Sequence, residues 1–281
     1  MDSLMSVDSF LRLLQFSDGL FPAGGYAHSF GLETLAQDGR VRSQDDVAAF
    51  LSAYLESSAV PVDAVAALCA RKYTFDDDLQ ACLRLDGLLD AFKPASELRQ
   101  ASRQMGRQTL RVLHAVLPES SVVAPGVASA NPGGNARAWS RLCRGAASAV
   151  PNAADEPEAL AREERIAAFI ARYAAAVESG AAPGHHPIIF GLAAAGFDWP
   201  PRETTGAFLY CTCVVIVGAA LRLLPLGQLA GQILLAEAGT LIAALSETIL
   251  DKDESDLHSF SPELEIAAMR HESLDARLFR S

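Results

Sequence analysis

The chain has 281 residues, of which 50% are hydrophobic and only 7% are aromatic, and its formal net charge is −11. This length is enough for one large domain with a buried core. Alanine and leucine dominate the apolar residues, and both favour helices over strands. The acidic net charge, which no basic cluster offsets, argues against a nucleic-acid partner.

Cysteine usage and the first residues bear on the cellular compartment. Five cysteines are scattered along the chain without the pattern of a disulfide framework, which predicts a reducing, cytoplasmic environment. The opening MDSLMSVDSF has neither a basic start nor a long apolar run, so it does not resemble a secretory signal. The uncharged stretch Thr204–Leu221 approaches the length of a membrane span. Because threonines and glycines interrupt it, we interpret it as a buried central helix.

Helical periodicity begins near the N-terminus. The first predicted helix carries an apolar stripe at helical spacing, formed by Val7, Phe10, Leu11 and Leu14. The run 18–25, in which two adjacent glycines follow a proline, ends that helix. A second short helix is predicted from about Tyr26 to Gln37. Capping residues or prolines then mark the next helix starts. These starts are Ser43, Pro61, Thr74 and Pro94.

Residues 119–157 differ from the rest of the chain. Proline, glycine, serine and asparagine crowd this stretch, which predicts a flexible, disordered insertion. Helical periodicity returns at Ile166 and continues to about Leu250. No stretch alternates with the two-residue period of a strand for more than a few residues. We therefore predict an all-α fold, with residues 1–281 forming one helical-bundle domain of about ten helices.

The last segment, residues 258–281, keeps large apolar residues together with arginines. A terminus that only frays into solvent would be expected to lose such side chains. We therefore expect this tail to dock, either on its own domain or on another protein. Arg270, Arg277 and Arg280 have two interpretations. An arginine supplied to a GTPase can stabilise its transition state, but a salt bridge to nearby Glu272 or Asp275 is the more common arrangement.

Motifs that carry enzyme chemistry are missing from the sequence. It has no phosphate-binding loop, dinucleotide fingerprint, nucleophile elbow or His-Glu-x-x-His motif, so we predict that the chain is not an enzyme. Cys211 and Cys213 would point away from each other on a helix, which favours two buried core residues. His185 and His186 leave one alternative open, a small helical metal-binding protein or enzyme that uses these two side chains.

Two groups of motifs resemble the urease accessory protein UreF family. The stretch LLQFSDGLFPAGGYAHSFGLE, at Leu13–Glu33, is similar to the N-terminal signature of that family. Further motifs are similar to the family in order and spacing. They are Gly184-His185-His186-Pro187, Phe190-Gly191, Arg222–Gln228, Ser259–Pro262, Met269–Glu272 and Arg277–Ser281.

The resemblance implies a non-enzymatic, all-helical chaperone of urease maturation. Such proteins dimerise and bridge the accessory protein UreD, also called UreH, to the GTPase UreG, so that GTP hydrolysis is coupled to nickel delivery into apo-urease. The resemblance implies no cofactor bound directly to this chain, because the assembled complex handles the nickel, and no membrane partner.

The family's N-terminal segment and C-terminal tail are implied to become ordered against UreD. Carried over to this sequence, the partner-binding candidates fall into a front group and a back group. The front group is Gly24, Gly25, Tyr26, Ser29, Gly31 and Glu33, and the back group is Arg270, His271, Glu272, Arg277, Leu278, Phe279 and Arg280. Packing within the domain is the alternative role for each of them.

Overall fold

The computed structural model describes residues 5–19, 21–117 and 156–281. Within these ranges every regular element is a helix and none is a strand, which confirms the predicted all-α class. The predicted insertion 119–157 lies outside the described residues, apart from its last two positions.

Eleven α-helices are present in the described ranges. They are α1 Val7–Ser17, α2 Leu32–Gln37, α3 Gln44–Tyr54, α4 Val65–Phe75, α5 Leu79–Phe92, α6 Ser96–Val116, α7 Glu156–Glu178, α8 His186–Gly196, α9 Pro201–Leu223, α10 Gln228–Glu247 and α11 Pro262–Arg270. The long apolar helices α8, α9 and α10 follow one another in the C-terminal half.

The predicted helix start at Ser43 is confirmed, and the one at Thr74 is not. Ser43 caps α3 through a capping box, in which its hydroxyl accepts from the Asp46 N–H at 3.2 Å and the Asp46 carboxylate accepts from the Ser43 N–H at 3.0 Å. The prediction that Thr74 caps the fifth helix is wrong. Thr74 lies inside α4 and donates to the Ala70 carbonyl, while Asp78 caps α5 by accepting from the Ala81 N–H.

Pro61 does not open a new helix, contrary to the prediction. It lies within a ten-residue π-helix, Leu55–Ala64, that joins α3 and α4 into one continuous element. A proline removes a backbone donor and crowds the carbonyl four residues earlier, which is a common cause of helix breaks. The wider π turns accommodate this defect. The carbonyl of Ser57, four residues before the proline, accepts instead from the Phe260 N–H at 3.4 Å.

Helix α8 lies at the centre of the core. Ten of its eleven residues are buried, and it packs mainly against α4 and α6. Two glycines permit these close contacts. A Cβ atom at Gly106 of α6 would overlap the carbonyl oxygen of Gly184, and one at Gly191 of α8 would overlap that of Ala67 in α4. The backbones of these helices therefore approach more closely than any larger residue allows.

Helix α9 contains the stretch 204–221, which we interpreted as a buried central helix, but it is buried on one face only. Its opposite face includes Tyr210, and the adjoining α10 exposes Leu229 and Ile233. By length and composition alone, three described helical stretches are able to cross a membrane. They are Gln44–Phe75, Pro201–Leu223 and Gln228–Glu247.

The predicted apolar stripe of α1 faces outward. The helix uses Leu13 and Phe16 to pack on the core, and it exposes Val7, Phe10, Leu11 and Leu14. Phe16 packs against the rings of Phe21, Phe197 and Trp199. The stripe therefore adds a further exposed apolar surface.

Candidate docking site

The two groups of candidate residues lie in segments that contact each other. We call residues 24–33 the N-terminal turn and residues 271–281 the C-terminal segment. The N–H and the hydroxyl of Ser29 both donate to the Ser281 carbonyl, at 2.5 and 2.9 Å. The Arg280 N–H donates to the Ala27 carbonyl at 2.8 Å. The structure thus brings the front and back groups together within one chain.

Glu33, at the start of α2, is the main acceptor for the C-terminal segment. Its carboxylate accepts from the backbone N–H groups of Leu278 and Phe279, at 2.6 and 3.0 Å, and lies 2.9 Å from Nε2 of His271. Burial alone would raise the pKa of Glu33. The Leu278 N–H, the His271 side chain and the Phe279 N–H outweigh burial and hold this pKa below its ordinary value.

His271 is buried between two carboxylates. Its Nε2 faces Glu33, and its Nδ1 lies 2.6 Å from Oε2 of Glu97 at the start of α6. Ionised carboxylates only accept hydrogen bonds, so the ring can donate to both of them only when both of its nitrogens carry a hydrogen. The other oxygen of Glu97 accepts from the Arg277 guanidinium at 2.8 Å. This cluster ties the C-terminal segment to α2 and α6.

The glycines of the N-terminal turn have a conformational role. Gly24 and Gly31 have φ values of 86° and 85°, in the left-handed region that favours glycine. Gly31 also lies against α11, because a Cβ there would be 3.1 Å from the backbone nitrogen of Ala268. Gly25 is buried, and a Cβ there would lie 2.9 Å from the side chain of Val215. The turn can therefore approach both α9 and α11.

Solvent exposure divides the candidate residues. The buried ones are Gly25, Ser29, Gly31, Glu33, His271 and Phe279, and Gly24 is half-buried. The exposed ones are Tyr26, Arg270, Glu272, Arg277, Leu278 and Arg280. Only the second group presents side chains to a partner in this conformation, and its role in binding remains a prediction.

The Phe279 side chain is buried by residues of its own chain. It is only 5% exposed, and the guanidinium carbon of Arg222 lies 4.2 Å from the centre of its ring. Arg222 also donates to the Tyr26 carbonyl at 2.6 Å. Of the two options for the tail, the structure shows docking on its own domain. Leu278 remains 60% exposed beside this contact, and Tyr26 is 69% exposed.

Two of the three tail arginines form salt bridges with residues far away in the sequence. Arg270 pairs in a bidentate manner with Asp38 at 2.6 and 3.0 Å, and Arg277 pairs with Glu97. These partners differ from the predicted Glu272 and Asp275. Glu97 was missed by sequence reasoning, because an acidic residue in the first turn of a helix is common and carries no further signal.

The two loop histidines have packing roles. His185 is buried, with its Nε2 2.7 Å from Asp90 and its Nδ1 3.0 Å from the hydroxyl of Ser102. His186 packs against the rings of Phe190 and Phe208, and burial lowers the pKa of His186 to about 4. Among the residues that the structure describes, no group of three or more His, Cys, Asp or Glu side chains is arranged to hold a metal ion.

In the described residues, the protein is a helical bundle with exposed apolar surfaces and a C-terminal segment docked on its own domain. Residues 41–239 match the family model UreF, which covers most of the chain. The chain belongs to the UreF family, and its role therefore lies in urease maturation.

Curated relatives match along almost the whole chain. The chain is 29% identical to urease accessory protein UreF of Paenarthrobacter aurescens (strain TC1), with 99% of this chain and 100% of that protein covered. It is 30% identical to urease accessory protein UreF of Arthrobacter sp. (strain FB24), with 96% of each covered. For the protein of the same name from Lachnoclostridium phytofermentans, the identity is 28%, with 96% of this chain and 98% of that protein covered.

Proposed function

We propose that this chain is a non-enzymatic chaperone that bridges a UreD-type (UreH-type) protein and a UreG-type GTPase. In this role it couples GTP hydrolysis to nickel insertion into apo-urease. Nickel is handled by the assembled complex rather than by this chain alone. The chain works in the cytoplasm as a soluble homodimer.

The observation that carries this proposal is a preorganised exposed patch at the junction of the two terminal segments. We call Tyr26, Arg277, Leu278 and Arg280 the docking patch. The backbone N–H groups of Leu278 and Arg280 donate to Glu33 and Ala27, and the Tyr26 carbonyl accepts from Arg222. The Arg277 side chain is paired with Glu97, and all four side chains remain exposed to solvent. A rigid patch loses little conformational entropy when it binds.

The chemistry of the docking patch fits a protein partner. Tyrosine and arginine are enriched at the energetic centres of interfaces, and Leu278 offers an apolar anchor. The two arginines are exposed on a chain whose net charge is −11. We therefore assign the patch to a partner surface that combines carboxylates with an apolar pocket, and we place the UreD-type protein there.

The homodimer is supported by a different surface. Tyr210 on α9 and Leu229 and Ile233 on α10 are 42%, 75% and 40% exposed, on two helices that pack against each other. Exposed apolar surface on adjoining elements is typical of a protein interface. In this proposal a second copy of the chain covers these residues, which keeps the protein soluble.

Co-purification tests the docking patch. We expect the triple variant Tyr26→Ala, Leu278→Asp and Arg280→Glu to keep its helical circular dichroism and to lose capture by a co-expressed UreD-type partner. Leu160→Asp is the matched control, because it changes an exposed leucine on α7, outside the patch. Normal capture of the triple variant would show that the partner binds elsewhere.

Two further measurements test the wider role. Deletion of the gene should abolish urease activity in the host, and excess nickel should restore it only in part if this chain acts in metal delivery. GTP turnover by the UreG-type protein should change when this chain joins the assembled complex. An unchanged turnover rate would argue against coupling.

A further inference from the structure

The cluster around His271 joins three parts of the chain through charge. Glu33 belongs to α2, Glu97 to α6, and His271 and Arg277 to the C-terminal segment. His28 of the N-terminal turn also lies close enough for the His271 charge to contribute to lowering its pKa. When His271 carries both ring hydrogens, one imidazolium and one guanidinium balance the two carboxylates. A balanced arrangement of this kind can be buried at moderate cost, whereas one that loses a single charge cannot.

We propose that His271 is a proton-operated latch, which holds the C-terminal segment on the domain as an imidazolium and releases it when the ring loses its proton. The latch is a property of the isolated chain and does not depend on the proposed partners.

The release follows from the number of hydrogen atoms on the ring. A neutral imidazole donates from one nitrogen and presents a lone pair at the other. One of the two carboxylates, Glu33 or Glu97, would then face that lone pair at hydrogen-bond distance. The cluster would also keep an unbalanced negative charge in a buried position. Both effects oppose the docked conformation.

The hydrogen bonds of Glu33 carry this change to the backbone. The oxygen that faces His271 also accepts from the Phe279 N–H, and the second oxygen accepts from the Leu278 N–H. A displaced Glu33 therefore loses its contacts with both residues. The anchors that do not involve Glu33 include the hydrogen bonds of Arg280 and Ser281 to the N-terminal turn and the packing of Phe279. They also include the Arg277–Glu97 pair, the hydrogen bond from the Gln37 side chain to the Ala276 carbonyl and the one from the Ser96 hydroxyl to Glu272.

The segment follows the last α-helix, so its opening is local. Helix α11 ends at Arg270, and its Ala267 and Ala268 lie against Gly31, a contact that does not involve the segment. His28 does not compete as the switch. Burial, together with the charges of Arg280 and His271, lowers the pKa of His28 to about 4, so its ring stays neutral between about pH 6 and about pH 9.

Nuclear magnetic resonance on the isolated full-length protein tests the latch. Carbon-13 labelling of the histidine rings gives the protonation state of His271, and amide exchange gives protection factors for residues 276–281, corrected for intrinsic rates, from about pH 6 to about pH 9. We expect the protection of the Leu278 and Phe279 amides to fall about tenfold or more as His271 loses its proton, which is the scale of one buried hydrogen bond to a charged group.

Two variants and an internal reference make the result decisive. His271→Gln should show low protection of the segment at every pH, while His258→Gln, at an exposed position, should behave as the parent. The buried amides of α8 serve as a reference and should stay protected in both variants. The proposal is overturned if His271 is neutral while the segment stays protected. It is equally overturned if His271→Gln reproduces the protection and pH dependence of the parent.

Discussion

The hydroxyl of Tyr173 donates a 2.7 Å hydrogen bond to Oδ2 of Asp86, whose side chain is fully buried. The same carboxylate accepts from the backbone N–H groups of Gly184 and His185, at 2.8 and 2.9 Å. One acidic residue therefore joins α5, α7 and the turn that leads into α8. Because ionised oxygens are costly to bury, these three donors are required together.

Tyr173→Phe tests the strength of this junction. We expect the free energy of unfolding to fall by about 1–2 kcal/mol, because a buried carboxylate loses one donor and keeps two. Urea denaturation followed by circular dichroism measures the change. Tyr26→Phe removes the same hydroxyl from an exposed ring and should alter the stability by less than about 0.5 kcal/mol. Equal effects for the two variants would contradict the assigned role of Tyr173.

Gly106→Ala tests the close approach of α6 to the turn before α8. The new Cβ would overlap the Gly184 carbonyl, so we expect a loss of about 1–3 kcal/mol or more in the free energy of unfolding. Gly87→Ala is the matched control. Gly87 lies in α5 with no atom near the position of a Cβ, and there the helix propensity of alanine should add about 0.5–1 kcal/mol. Thermal or urea unfolding of both variants measures whether each substitution lowers or raises the free energy of unfolding.

Acidification should detach the C-terminal segment. The folded-state pKa of Glu33 lies below its ordinary value of 4.5, so its contribution to docking is fully present above that value. The contribution is lost as the pH falls through the lower, folded-state pKa. Amide exchange at Leu278 and Phe279 should accelerate there before the helices unfold.

Glu33→Gln should weaken docking at neutral pH and remove this part of the acid response. Glu272→Gln is the control, because Glu272 is exposed and belongs to the same segment. If the acid response of Glu33→Gln matches that of the parent, another carboxylate controls the segment.

Tyr210→Asp combined with Ile233→Asp tests the proposed dimer surface. We expect the dissociation constant of the dimer, measured by analytical ultracentrifugation, to rise by about thirtyfold or more, since interface hot spots contribute about 2 kcal/mol or more. Leu11→Asp places the same charge on the exposed stripe of α1 and should leave the dimer intact. If Leu11→Asp alone makes the protein monomeric, the dimer interface lies on α1 instead.

Local signals in the sequence were enough to predict the fold class and the start of α3 at Ser43. The capping box at Ser43 and the periodic apolar residues act within a few positions of each other, so a single sequence reveals them. Thr74 was misassigned because a threonine can donate to a carbonyl inside a helix as readily as it can cap one. Apolar residues lie on more than one side of α1, so the sequence could not show which of its faces would meet the core.

The candidate site could be predicted only in part. The family motifs marked both terminal segments, but nothing in the sequence showed that they contact each other. His271 and Glu97 are 174 positions apart, and Glu33 is 238 positions from His271. Contacts over such separations depend on the complete packing of the helices. The same reason explains why Phe279 was expected to need a partner for cover.

The π-helix at Leu55–Ala64 constrains the length of the chain as well as its composition. Each residue of an α-helix turns the chain by about 100°. Deleting one residue from this segment would therefore rotate the inward stripe of α3 away from that of α4, and both stripes could no longer face one core. It would also move the Ser57 carbonyl away from the Phe260 N–H. We therefore expect insertions and deletions within Leu55–Ala64 to disrupt the fold, even where single substitutions are tolerated.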